Sequence, residues 1–94
     1  MEIVIKAKAL KTLSEVADYI DSLNTFGAGS RWLDRFLLRV EAYARPNVKY
    51  PLCKHPKLAR RDLSCITYKN WVVAFKFHKG TFVIYEIIFG TILN

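Results

Sequence analysis

The sequence predicts an α+β domain in which a pair of helices precedes a small sheet. Apolar residues recur at helical spacing from about residue 8 to residue 44, and after residue 62 the apolar period becomes two. A short β-branched stretch precedes the helices. The predicted order is therefore β-α-α-β-β-β, with a mainly antiparallel sheet and the helical hairpin packed on one of its faces.

The first strand is predicted over residues 2–5, because Ile3, Val4 and Ile5 are β-branched. The first helix is predicted from Lys8 onward, over about four turns. Six of its apolar residues fall at helical spacing, which is typical of an amphipathic helix: Leu10, Leu13, Val16, Ala17, Ile20 and Leu23.

The second helix follows a break at residues 24–27, where Thr25 is the predicted cap. Its apolar residues again recur at helical spacing: Trp32, Phe36, Leu37, Val40 and Ala44. Pro46 is predicted to end it, because the residue before a proline is driven away from helical ψ. So short a connection predicts an antiparallel helical hairpin.

Three strands are predicted after the helices, over residues 63–68, 71–78 and 81–89. Lys79-Gly80 supplies the positive φ that a tight hairpin turn needs, and Lys69-Asn70 is the predicted turn of the earlier hairpin. The last strand is almost wholly apolar, which predicts a central position in the sheet.

The whole chain, residues 1–94, is predicted to be one domain, since its length suits a single core. No apolar stretch approaches the roughly 20 residues that cross a bilayer. The N-terminus lacks the apolar region of a signal peptide, so we expect a cytoplasmic protein.

The two cysteines, Cys53 and Cys65, do not make a disulfide framework. In a cytoplasmic protein we expect them to be reduced thiols. Combined with His55 and His78, they lack the paired close spacings of structural zinc sites. We therefore predict neither a metal site nor a cofactor.

The net charge of +7 is concentrated in the second half of the chain. Residues 1–41 hold six basic and six acidic residues, whereas residues 42–94 hold nine basic and two acidic residues. Residues 44–61 hold six Lys or Arg and no carboxylate. This asymmetry favours an anionic partner, either nucleic acid or an acidic protein segment, although the same charges also serve simply as a solvated surface.

The candidate surface for binding nucleic acid or another target consists of six residues: Lys54, Lys57, Arg60, Arg61, Lys76 and His78. If the strands pair as predicted, they share the side of the sheet opposite the helices, where Lys and Arg hold phosphate by charge-assisted hydrogen bonds. Tyr68, Tyr85 and His78 are candidates to stack on a base or to move a proton. If the chain is an enzyme, the candidate catalytic residues are Lys54, Arg60, Arg61 and Tyr85.

Other chemistries have weaker support in the sequence. No nucleophile elbow and no glycine-rich phosphate loop is present. Glu86 lies among apolar neighbours, and we predict that it pairs with Lys76 across the sheet rather than acting as a catalytic acid.

The opening "MEIVIKAKALKTLSEVADYI" resembles the start of the RelE/ParE toxins of type II toxin-antitoxin systems. The residues that match that pattern are Ala9, Leu10, Leu13, Val16, Tyr19 and Ile20. "RWLDRFLLRVEAY" resembles the second helix of the family, and "NWVVAFKFHKGTFVIYEIIFG" resembles its final hairpin. The resemblance covers essentially the whole chain and implies the RelE/ParE-like fold.

The chain departs from the family pattern at both ends. Lys6 stands where a helix-capping Ser is common, and Phe89 stands where many relatives have a His before the Gly. Residues 91–94 contain no Arg. RelE-like members cut mRNA on the ribosome with basic residues and a C-terminal Tyr or Arg, whereas ParE-like members poison DNA gyrase without being nucleases. The departures therefore favour ParE-like gyrase poisoning over RelE-like cleavage.

The resemblance also implies partners. These are an acidic antitoxin that neutralises the toxin, and either DNA gyrase or the ribosome with its mRNA as the target. The candidate antitoxin-binding residues are Leu13, Tyr19, Trp32, Arg35 and Arg39. A further alternative is a non-toxic basic binding module of the same fold.

Overall fold

The computed structural model describes residues 2–45 and 48–90. The elements in chain order are β1 (Ile3–Ile5), α1 (Ala7–Leu23), α2 (Ala28–Tyr43), α3 (Pro56–Ala59), β2 (Ser64–Tyr68), β3 (Trp71–His78) and β4 (Thr81–Phe89). The fold is α+β, as predicted, and the predicted order lacks only the one-turn helix α3. Pro46, the predicted helix stop, and residues 91–94 lie outside the described residues.

The four strands form one mixed sheet in the order β1-β4-β3-β2. β2, β3 and β4 pair in antiparallel fashion, while β1 pairs in parallel with β4. β4 therefore has a neighbour on each side, which agrees with its apolar sequence. Lys79 and Gly80 have φ of 50° and 79° at the β3–β4 turn, and Lys69 has φ of 54° at the β2–β3 turn.

A β-bulge on β4 decides which side chains face away from the helices. Ala74 pairs with Glu86, but the next residue, Phe75, pairs with Ile84, so Tyr85 is the extra residue. Ile84 and Ile87 both contribute to the core beneath the helices. Tyr85 and Glu86 are thereby placed consecutively on the opposite face, which simple alternation does not allow.

Helices α1 and α2 cover one face of the sheet and bury the main core against it. The central members of that core are Leu13, Trp32, Phe36, Val40, Val73, Phe75, Phe82 and Ile84. The two helices run antiparallel. The side chain of Asp21, late in α1, accepts a hydrogen bond from the backbone N–H of Gly29, early in α2, at 2.8 Å, which joins the helices next to their connection. The prediction that Thr25 caps α2 is wrong, since Gly27 occupies the N-cap at a φ of 90°, which suits glycine.

The opposite face of the sheet is partly covered by residues 54–63, which we call the basic segment. α3 lies within it, and Leu58 and Leu63 pack with Cys53 and Ala74 in a second, smaller core. The ends of the segment meet where the backbone N–H of Cys53 donates to the carbonyl of Leu63 at 2.8 Å. The segment that holds four of the predicted target-binding cations therefore packs on the sheet.

Cys53 and Cys65 form a disulfide, with their Cα atoms 4.9 Å apart. The expectation of two reduced thiols is therefore wrong for this structure. The reversal of the chain through α3 brings residue 53 back to the strand that holds residue 65, and spacing alone does not reveal such a return. Among the described residues, no helix has the length and apolar character needed to cross a membrane.

Candidate functional site

Tyr85 lies between two lysine side chains on the face of the sheet opposite α1 and α2. The ammonium nitrogens of Lys6 and Lys76 are 5.8 Å and 5.4 Å from the centroid of its ring. The backbone N–H of Lys6 donates to the carbonyl of Ile84 at 2.9 Å, so the sheet fixes the position of Lys6. Two cations on one half-buried ring create a positive site beside an aromatic surface.

Glu86 lies next to Tyr85 and is the buried carboxylate of this face, at 8% exposure. Its Oε1 is 2.9 Å from Nζ of Lys8, and its Oε2 accepts a hydrogen bond from Arg61. The prediction that Glu86 pairs with Lys76 is therefore wrong. The bulge turns Glu86 toward the start of α1 and the end of the basic segment, while Lys76 lies over Tyr85.

These partners determine the protonation of Glu86. Burial raises the pKa of its carboxyl, but the hydrogen bonds from Lys8 and Arg61 outweigh burial and hold the pKa below the ordinary value of 4.5. The carboxylate is therefore ionised at neutral pH. A group with a lowered pKa is poorly suited to act as a general acid, which agrees with the structural role expected for Glu86.

A cavity of about 370 Å³ opens between the basic segment and β4. It is lined by Lys8, His55, Lys57, Leu58, Arg61, Glu86 and Ile88. Three of these side chains are cations and one is a carboxylate, so the lining has a net positive charge. Together with Lys6, Lys76 and Tyr85, these residues form what we call the cationic face.

The predicted target-binding residues are divided by the structure. Lys57 and Arg61 line the cavity and Lys76 lies beside it, whereas Lys54 lines a neighbouring pocket next to the disulfide. Arg60 is exposed at the C-cap of α3, and His78 is exposed at the end of β3. Of the candidate catalytic residues, Arg61 and Tyr85 belong to the cationic face, while Lys54 and Arg60 do not line its cavity.

Tyr68 is not available for stacking on a base. Its side chain is 6% exposed and packs edge-on against Trp32 and Phe36 in the main core. The prediction that Tyr68 stacks on a ligand is therefore wrong. The period of two in β2 placed this residue on the helix side, and that signal was present in the sequence.

Lys6, Lys8 and His55 belong to the cationic face but were not predicted. Lys6 and Lys8 reach it because β1 pairs in parallel with β4, which places the residues after β1 beside the second half of β4. His55 begins α3, where its Nδ1 accepts the backbone N–H of Lys57 at 3.3 Å. The two lysines lie on this face because β1 and β4, which are distant in sequence, pair in parallel. No local signal in the sequence predicts that pairing.

The predicted antitoxin-binding residues also separate. Leu13 and Trp32 are 3% and 6% exposed in the core, so neither side chain is available to line a docking surface. Tyr19 is 64% exposed and lines a shallow groove with Trp71. Arg35 and Arg39 are exposed on α2.

The fold and the site together define a small α+β protein with a cationic face on its sheet. No protein-family model matches the chain, and a search of curated proteins finds no match either.

Proposed function

We propose that this protein is the toxin component of a type II toxin-antitoxin system, of the RelE/ParE kind, acting in the cytoplasm. The observation that supports the proposal is the cationic face, where Lys6, Lys8, Lys57, Arg61 and Lys76 surround Tyr85 and Glu86. Such a surface complements an anionic partner and accelerates its association. The order of the elements is the one that the resemblance implies.

The favoured mode of action is binding, as in ParE-like poisoning of DNA gyrase, rather than RNA cleavage. Glu86 is ionised and paired with Lys8 and Arg61, so it is not free to transfer a proton. Phe89, which stands where many relatives have a His before the Gly, points the same way.

The gyrase proposal is tested by incubating the purified protein with DNA gyrase, ATP and supercoiled plasmid. We expect linear plasmid to accumulate as broken DNA, because a gyrase poison stabilises the cleaved intermediate. Unchanged supercoiling and cleavage at a molar excess of the protein would contradict the proposal. The double variant Lys6→Gln/Lys76→Gln tests whether the cationic face takes part, and Arg35→Gln/Arg39→Gln removes the same charge from α2.

A RelE-like ribosome-dependent endoribonuclease is the second candidate, and the environment of Tyr85 favours it. A phenol between two ammonium groups is placed to stack on a base, and the two cations favour negative charge that develops on an attacked phosphate. We then expect cleavage of ribosome-bound mRNA, reduced at least about tenfold by Tyr85→Ala, which removes the stacking ring, or by Lys6→Gln/Lys76→Gln. Intact message in a translating extract that contains the wild-type protein would exclude this candidate.

An acidic antitoxin is the proposed neutralising partner in either case. Of the residues predicted to bind it, Tyr19, Arg35 and Arg39 are exposed and remain candidates. Induced expression in bacterial cells is expected to arrest growth, and co-expression of an acidic antitoxin encoded next to the gene is expected to restore it. Unimpaired growth on induction would instead favour a non-toxic basic binding module of the same fold.

A further inference from the structure

The Cys53–Cys65 disulfide closes the loop that contains the basic segment. The two cysteines lie 12 positions apart in the sequence. Four cations lie between them: Lys54, Lys57, Arg60 and Arg61. Cys65 lies in β2 with Ala74 as its register partner on β3. The bond therefore fixes the start of the basic segment to the sheet at the edge of the cationic face.

The disulfide is accessible from solvent. Both cysteines line a pocket of about 350 Å³, together with Lys54, His55, Thr67, Val72 and other residues. Cys65 is half-buried, while Cys53 is only 5% exposed. Cys65 is therefore the more exposed residue of the pair, and we expect a small thiol to attack its sulfur.

The non-covalent anchoring of the basic segment consists mainly of two buried side chains, one ion pair and a backbone hydrogen bond at its ends. Its buried apolar side chains are Leu58 and Leu63, which pack with Cys53 and Ala74 apart from the main core. A segment with few buried contacts opens at a low free-energy cost once a covalent constraint is removed. Arg61 reaches Glu86 from this segment, so opening the segment also separates a cation from the cationic face.

We infer that Cys53–Cys65 is a redox modification site, at which reduction by a dithiol releases the basic segment and weakens binding to the cationic face. This inference rests on the proposed anion-binding role of that face. The proposed cytoplasmic location supports it, because cytoplasmic disulfides in most organisms are transient and catalytic or redox-sensing rather than structural.

The exchange proceeds in two steps. A thiolate of the dithiol attacks Sγ of Cys65 and forms a mixed disulfide, while Sγ of Cys53 leaves as a thiolate and takes up a proton. The second thiolate of the reductant then attacks the other reductant sulfur, the one bonded to Cys65 in the mixed disulfide. Sγ of Cys65 leaves as a thiolate and takes up a proton. The reductant loses two electrons and ends as a disulfide. Lys54 follows Cys53 directly, and a neighbouring cation favours the departing thiolate.

Hydrogen–deuterium exchange tests whether reduction releases the segment. The amides of residues 54–63 in the oxidised protein are compared with those in protein treated with dithiothreitol, a small dithiol. We expect faster exchange in this segment after reduction and unchanged exchange in α1 and β4. Equal exchange of the segment in the two states would overturn the inference. The variant Cys53→Ser/Cys65→Ser is expected to match the reduced protein in the presence or absence of the reductant.

Fluorescence anisotropy with a labelled single-stranded RNA of about 12 nucleotides tests the effect on binding. We expect reduction to weaken binding by about fivefold or more, the range of typical coupling between sites. Equal binding by the oxidised and reduced proteins would overturn the inference while leaving the anion-binding face intact. Absence of RNA binding in both states would contradict nucleic-acid binding by the cationic face, and with it the redox regulation of that binding. The variant Cys53→Ser/Cys65→Ser is the control and is expected to bind RNA as weakly as the reduced protein, with or without the reductant.

Discussion

Glu86 illustrates how one buried charge organises the cationic face at the scale of single residues. Lys8 comes from the start of α1, and Arg61 comes from the end of the basic segment, so the carboxylate joins three distant parts of the chain. A buried carboxylate without partners is costly, and these two cations offset that cost. Because both partners are largely exposed, solvent screens the ion pairs and their net contribution to stability is modest.

The pH dependence of stability follows from the lowered pKa of Glu86. A carboxyl whose pKa is lower in the folded state stabilises the fold above its unfolded value of 4.5, and that contribution is lost as the pH falls through the folded pKa. We expect Glu86→Gln to lower the free energy of unfolding by about 1 kcal/mol at neutral pH and by progressively less as the pH falls below 4.5. Urea unfolding of both proteins across this range provides the measurement.

Glu15→Gln is the control for this prediction, because Glu15 is exposed on α1. It removes one negative charge without affecting the contacts of Glu86. If the difference between Glu86→Gln and the wild type did not change with pH, the ion pairs would contribute nothing specific to stability.

The residues of the site were harder to predict than the strand on which they lie. The β4 sequence predicted a central strand correctly, but the bulge at Tyr85 changes which side chains face the cationic side. Without the bulge, Glu86 would share the helix side with Ile84. A bulge adds one residue to a strand without a distinct residue type, so alternation in the sequence does not show that Glu86 lies on the cationic side.

At the scale of elements, the contact between α1 and α2 depends on a glycine. A Cβ added at Gly29 would overlap the backbone carbonyl oxygen of Ala17, and that carbonyl belongs to the helix backbone. We expect Gly29→Ala to destabilise the protein by about 2–3 kcal/mol, because the helices must separate to accept the methyl group. Thermal or urea unfolding measures the change. The exposed neighbour Ser30 provides the control, since Ser30→Ala should stay within about 0.5 kcal/mol of the wild type.

The start of α1 shows a conflict between stability and the proposed function. Lys6 is the N-cap residue, but its side chain makes no capping hydrogen bond and instead lies over Tyr85. We expect Lys6→Ser to raise the free energy of unfolding by about 0.5–1 kcal/mol relative to Lys6→Ala, because a hydroxyl at this position accepts a hydrogen bond from a first-turn N–H.

Both variants remove the same ammonium group, so they separate the two roles of Lys6. We expect equal losses of RNA affinity for Lys6→Ser and Lys6→Ala, measured by anisotropy, alongside their difference in urea unfolding. Unweakened binding in both variants would show that Lys6 lies outside the binding surface. A lower stability for Lys6→Ser than for Lys6→Ala would contradict the capping argument.

At the scale of the whole molecule, the order of the elements could be predicted from the sequence. The pairing of the strands and the contacts between distant segments could be predicted only in part. The helical and alternating periods predicted both main helices and the three strands that follow them, and β-branched residues predicted β1. These elements bury apolar side chains in the main core. The parallel pairing of β1 with β4 and the disulfide join residues distant in sequence. Local patterns carry no information about such pairings, and therefore Lys6, Lys8 and the bonded cysteines were missed.

The distribution of charge over the two sides of the molecule gives the final prediction. The net charge is +7, but the charges are not evenly distributed. Helices α1 and α2 carry both acidic and basic residues, whereas Glu86 of the cationic face is an ionised carboxylate whose charge is balanced by Lys8 and Arg61. If the cationic face binds RNA through about four phosphates, log affinity should fall with log salt at a slope near −3. The slope reports the number of contacts rather than the net charge of the protein.

Two variants of equal net charge distinguish these possibilities. Lys6→Gln/Lys76→Gln removes two cations from the face, and the slope is expected to shrink by about 1.4. Arg35→Gln/Arg39→Gln removes two cations from α2, where we expect the slope to stay within error of the wild type. A similar reduction of the salt slope in both variants would mean that RNA binding depends only on the overall charge of the protein. Since the two proteins differ only in where the cations lie, the comparison tests the location of the surface directly.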